Sequence, residues 1–143
     1  MSLLAAFGFI GALAATAAPV HSVSVDHRGS TYSVDYRARV ETSMRTIGIA
    51  PPARQSTQRC VMTATVSVER VIADGGHALT AALPGKETFT RQLPGECRSR
   101  DAQLARLVDD KTPAITAHLA EAASADREHA LAAIDAAHHF AAN

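Results

Sequence analysis

The sequence predicts an α+β protein, with a three- to four-stranded antiparallel meander sheet followed by two or three carboxyl-terminal helices on one face. Three observations predict it. Apolar residues recur with a period of two in separate runs between residues 20 and 93. The period becomes helical from Ser99 onward, and of the two cysteines, Cys60 opens the third strand while Cys97 follows the fourth.

Residues 1–18 carry no charged side chain and include Leu3, Leu4, Phe7, Phe9, Ile10 and Leu13. The run approaches the length of a minimal membrane span, but much of it is alanine and glycine, so its transfer energy is modest. Ala15-Thr16-Ala17 supplies the small-x-small pattern that precedes a signal-peptidase cut. Residues 1–17 are therefore expected to be a signal peptide, and residues 18–143 one small α+β domain, its sheet over about 20–95 and its helices over about 99–141. The usual positively charged start of such a signal is missing, and an uncleaved anchor is the rival reading.

Val20 to Val25 is a short β-type run, and Asp26 to Ser30 reads as a turn. Tyr32, Val34, Tyr36, Ala38 and Val40 then alternate with polar residues, the pattern of a strand covered on one side only. Met44 to Gln58, interrupted by Gly48 and Pro51-Pro52, reads as a loop. Arg59 to Ile72 is a third strand, with Cys60, Met62, Ala64, Val66 and Val68 on one face. Asp74-Gly75-Gly76 ends it, and His77 to Leu83 fits either a helical turn or a bulged strand. Thr88 to Leu93 is a fourth strand between two Pro-Gly breakers.

Leu104, Leu107 and Val108 mark a first helix, with Ser99 as its expected cap. Thr112-Pro113 reads as the cap and first residue of the next. Ile115, Leu119 and Ala122 form one stripe; Leu131, Ile134 and His138 form another, displaced around the axis. One bent helix and two helices broken near Ser124 both fit.

The chain of 143 residues holds 14 basic and 14 acidic side chains, a neutrality that argues against a dedicated nucleic-acid binder. The charge is unevenly placed: residues 26–100 hold 11 basic and 7 acidic groups, residues 101–143 hold 3 and 7. A basic sheet and an acidic helical layer attract each other, or each faces a different partner. Alanine occupies 30 positions, and residues 18–143 contain only 24 of Leu, Ile, Val and Phe. The core is expected to be thin and to benefit from a covalent staple.

A disulfide between Cys60 and Cys97 is the expected staple in an oxidising compartment. If the two face each other across a hairpin, Ala64 faces Leu93, Val68 faces Phe89 and Arg70 faces Glu87, which matches apolar to apolar and charge to opposite charge. Neither cysteine belongs to a C-x-x-C element, so a redox or thiolate-metal role is disfavoured.

The chain contains 7 histidines, which raises the question of a metal. His118 with Glu121, and Asp135 with His138 or His139, have the spacing of neighbours on a helix. Two ligands from one helix turn make only a weak site. No H-E-x-x-H, G-x-S-x-G or S-x-x-K element occurs, and Gly75-Gly76 lacks the spacing and lysine of a phosphate loop. No catalytic residue and no cofactor is expected.

The leading expectation is a non-catalytic exported protein of a bacterial envelope, periplasmic or secreted, that binds an unknown protein or envelope component. It has no nucleic-acid partner, and it meets a membrane only during export unless its first segment stays attached. The alternatives are a small periplasmic metal-binding protein using the carboxyl-terminal histidines and a secreted hydrolase.

Overall fold

A computed structural model describes residues 18–142. The signal-peptide and anchor readings lie outside the described residues. Four strands, β1 (Val20–His27), β2 (Ser30–Ile47), β3 (Arg59–Asp74) and β4 (His77–Pro94), are followed by two helices, α1 (Asp101–Asp110) and α2 (Thr112–Ala141). The sheet order is β1-β2-β3-β4 with every neighbour antiparallel, so the α+β meander is the observed fold.

The period-two pattern decides which face is covered. Tyr32, Val34, Tyr36 and Ala38 of β2 are buried, as are Cys60, Met62, Ala64, Val66, Val68 and Ile72 of β3. The intervening residues Thr63, Thr65, Ser67 and Glu69 turn to the other face and are only partly buried. Arg28-Gly29 closes the first hairpin with both φ angles positive, 51° and 81°. Two left-handed residues give the turn whose twist matches that of the strands it joins.

The strands are longer than the sequence suggests. β2 continues to Ile47, so the expected loop at residues 44–58 begins only at Gly48. The β2–β3 register runs unbroken from Val34↔Ile72 to Ile47↔Arg59, and cross-strand pairing overrides the polar character of Thr42, Ser43 and Arg45. At Gly48 the φ is +85°, and an added Cβ would sit 2.4 Å from the Thr57 carbonyl oxygen, so only glycine fits. His77 to Leu83 is strand, and β4 runs on through Pro84-Gly85. The β3–β4 register shifts there, between Ser67 and Glu69, as an irregularity on an edge strand absorbs the proline.

Cys60 and Cys97 form the disulfide, with Cα atoms 4.7 Å apart. The expected register is displaced by four residues: Cys60 faces Leu93 and Ala64 faces Phe89. Arg70 faces Ala81, not Glu87. Cys97 lies beyond the end of β4, past Gly95, whose amide continues the ladder to the Gln58 carbonyl at 2.8 Å. An even displacement preserves the side to which each residue points, so the apolar face survives the change of partners.

The helix starts also differ. Arg100 caps α1, and Ser99 precedes it with a φ of 57° and makes no cap bond. Lys111 alone separates the two helices and caps α2, so Thr112 is the first helical residue. α2 is one helix of 30 residues, unbroken at Ser124. Its buried stripe is Ile115, Leu119, Ala123, Asp126, Ala130 and Ile134, and the two stripes seen in the sequence are joined through a buried aspartate.

α2 covers the main core on Tyr32, Val34, Tyr36, Val66, Val68 and Ile72. α1 covers a second cluster of Cys60, Met62, Ala64 and Leu107 at the disulfide end. The charge asymmetry between the layers is used internally. Arg70 pairs with Asp126 at 2.9 Å, Arg28 with Asp135 at 2.9 Å and Arg91 with Asp110 at 2.7 Å, each reaching from sheet to helix. Among the described residues no helix is long and apolar enough to cross a membrane.

Candidate functional site

The small residues of α2 leave space between the helix and the edge strand. Ala120, Ala123, Ser124, Arg127 and Ala130 recur on one side of α2, opposite His21, Val23 and Val25 on the covered side of β1. The result is a cleft of about 430 Å³ with valine and alanine walls, polar groups from His21, Asp26 and Arg127, and Tyr36 among its lining residues.

Tyr36 belongs to a buried charged network. Its hydroxyl donates to Asp126 Oδ2 at 3.1 Å, while Arg70 Nη1 donates to both Asp126 oxygens at 3.0 and 2.9 Å. Arg70 is 8% and Asp126 7% exposed, so the pair is screened little by solvent. Burial, reinforced by the Asp126 charge, pushes the Tyr36 hydroxyl up to about 12, and near neutral pH it is a proton donor and not a base. Arg70 Nε has no hydrogen-bond partner among the described residues.

A second, more open cleft of about 680 Å³ lies at the far end of α2, lined by Arg28, Ser30, Tyr32, Asp135, His138 and His139. His27 Nε2 donates to Asp135 Oδ1 at 2.8 Å, and Arg28 Nε lies 2.9 Å from the same oxygen. The His27 hydrogen bond, then the Arg28 charge, holds the Asp135 carboxyl below its ordinary value of 3.8. The Tyr32 hydroxyl meets His138 Nε2, with the two rings edge to face.

These contacts separate the metal-ligand candidates. His118 Nδ1 lies 3.1 Å from Glu87 Oε2, Asp135 is taken by His27 and Arg28, and His138 by Tyr32. Glu121 is exposed on the middle of α2, and His139 lies in its last turn. Among the described residues no group of three or more His, Cys, Asp or Glu side chains is placed to hold a metal ion. For the hydrolase reading, the His27–Asp135 pair has the base-and-orienter form. The partners of His27, His118 and His138 are nevertheless carboxylates and a phenol, not serine or threonine hydroxyls.

Sequence reasoning missed Tyr36, Arg70 and Asp126 as a unit. One signal was present: Arg70 shares the parity of Cys60 to Val68 and so points into the apolar face, where a charge requires a partner. The partner itself is 56 residues away and carries no mark in the sequence. No family model matches the chain, and neither a curated protein nor a solved structure matches it.

Proposed function

We propose that this chain is a non-catalytic binding module exported to a bacterial envelope, periplasmic or secreted, and that it holds an envelope component in the cleft between β1 and α2. The observation that carries this reading is the cleft itself. Its volume of about 430 Å³ lies within the range of roughly 300–1,000 Å³ typical of small-molecule sites. It stays open because alanines occupy positions 120, 123 and 130, where larger side chains would fill it.

The chemistry of the walls describes the ligand. Val23, Val25 and the alanines suit an apolar portion, and Arg127 with His21 suits an acidic group. Among the described residues Arg127 makes no ion pair with a protein carboxylate, so its charge is available. The Cys60–Cys97 disulfide supports an oxidising destination.

Native mass spectrometry of protein recovered from its own cell envelope tests the reading. The wild type is expected to carry a small non-covalent adduct that Ala120→Phe removes and Arg127→Ala weakens. A ligand-free mass for the wild type, or an adduct indifferent to both substitutions, eliminates the cleft. Hydrolytic turnover abolished by a single point change eliminates the non-catalytic part.

A further inference from the structure

β1 covers only half of the edge of β2. It pairs with Ser30–Arg37, while β2 runs on to Ile47. The last bond across this edge runs from the Ala38 amide to the Pro19 carbonyl, 3.2 Å. In an antiparallel ladder that bond sets the phase: even-numbered residues of β2 turn their N–H and C=O towards β1, odd-numbered residues towards β3. The bond from the Thr57 amide to the Ile49 carbonyl, 2.9 Å on the β3 side, has the same phase. Val40, Thr42, Met44 and Thr46 therefore direct main-chain donors and acceptors out of the sheet, and among the described residues no main-chain group meets them.

Edges of this kind are commonly blunted by proline, by a bulge or by inward-pointing charge. From Arg39 to Ile47 there is no proline or glycine, the β3 register is uninterrupted, and the covered-side residues are Val40, Thr42, Met44 and Thr46. The stretch is bounded by Pro19 at one end and by the bend at Gly48, φ +85°, at the other.

The geometry points to a second copy of this chain as the occupant, with two β2 strands pairing antiparallel about a twofold axis at Ser43 and the two sheets joining into one. Two independent arguments give the same register. A strand that fills residues 39–47 with its own copy is centred on the midpoint of that stretch, Ser43. In that register Val40 meets the partner's Thr46 and Thr42 meets the partner's Met44, so outward-directed backbone groups face one another.

Charge selects the same alignment. Glu41 stands opposite the partner's Arg45, and Arg45 opposite the partner's Glu41, at the non-hydrogen-bonded positions where side chains approach most closely. Centring on Thr42 instead sets Arg39 against the partner's Arg45, and centring on Glu41 sets that carboxylate against itself. Centring on Met44 loses both ion pairs. On the covered side, Val40 and Met44 border the apolar clusters and carry them towards the axis. The cleft of the proposed function takes no part, so Ala120→Phe leaves this association unchanged.

Engineered thiols in the full exported chain provide the test. Opposed non-hydrogen-bonded residues have Cα atoms about 4.5 Å apart, within the roughly 4.4–6.8 Å spanned by disulfides. Ser43→Cys is therefore expected to yield a disulfide-linked dimer on air oxidation. Arg39→Cys, whose two copies would lie about 27 Å apart along the paired strands, is expected to remain uncrosslinked. In sedimentation at high micromolar concentration, the wild type should show twice the monomer mass. Glu41→Arg should show the monomer mass, and Glu41→Arg/Arg45→Glu should recover the dimer. A monomeric wild type with a free Ser43→Cys thiol overturns the inference, as does equal crosslinking of both variants. A mixed disulfide with another protein, or an edge occupied by the chain's own residues 1–17, overturns it equally.

Discussion

Arg70 and Asp126 meet through a single nitrogen: Nη1 donates to both carboxylate oxygens, at 3.0 and 2.9 Å, across 56 residues of chain. The contact fastens the centre of α2 to the second half of β3, at the point where the helix's apolar stripe is interrupted. Its energetics follow from burial. Two charges withdrawn from water gain little over an apolar pair of similar volume, but either one left alone is costly.

That asymmetry predicts a non-additive mutational cycle. Asp126→Leu or Arg70→Met alone should destabilise by about 3–5 kcal/mol, since each strands a buried charge. The double variant Arg70→Met/Asp126→Leu should lie much closer to the wild type. Urea unfolding of the four proteins measures the coupling, and additive losses would contradict the assignment.

Tyr36 predicts a stability change at high pH. Its hydroxyl is raised from an ordinary 10.0 to about 12 in the fold, so the folded state retains a proton that the unfolded state releases. The contribution is complete below pH 10.0 and falls away as pH climbs towards about 12. Tyr36→Phe should lower stability near neutral pH by about 1.5–3 kcal/mol, the value of a hydrogen bond to a charged group, and should flatten this alkaline loss. Absorbance titration near 295 nm should show a tyrosine ionisation at about 12 that Tyr36→Phe removes.

Asp135 predicts the opposite dependence at low pH. Its carboxyl is held below 3.8 by His27 and Arg28, so its contribution is present above that value and disappears as pH falls through the lowered one. Asp135→Asn should therefore be less stable than the wild type near neutral pH and converge with it in strong acid. Hydrogen exchange of the last turns of α2 is the local measure. A difference that persists in strong acid would assign the effect to packing.

The disulfide closes a loop over a sequence separation of 37. Loop-closure entropy gives about 4 kcal/mol for a ring of that size, an upper figure because native strain is omitted. Cys60→Ala/Cys97→Ala should lower the melting temperature, with the first loss of protection in α1, whose Leu107 packs in the same cluster as Cys60. Uniform loss across the sheet would show that the bridge acts on the whole fold.

The strands, the identity of the covered face, the helical third and the cysteine pairing were legible because each depends on local periodicity or on a choice between two cysteines. Strand lengths were less legible. Met44, Arg45, Thr46 and Ile47 fall in the stretch read as a loop, but pairing with β3 makes them strand. The β3–β4 register escaped because an even shift keeps every apolar residue on the covered face, so the pattern tolerates it even though the expected match of Arg70 with Glu87 is lost to Ala81. Ser99 looked like a cap but precedes the capping residue Arg100, where its backbone takes a left-handed turn.

What the sequence alone determined, then, is which residues face inward, because a side chain's direction along a strand or helix follows from its position number. Only the tertiary structure decided which inward residues meet. Arg70 on Asp126, His27 on Asp135, Tyr32 on His138 and the alanine-lined cleft beside β1 all join segments distant in the chain. Such encounters depend on how α2 crosses the sheet, a geometry set by the sum of many packing contacts that no short stretch of sequence encodes.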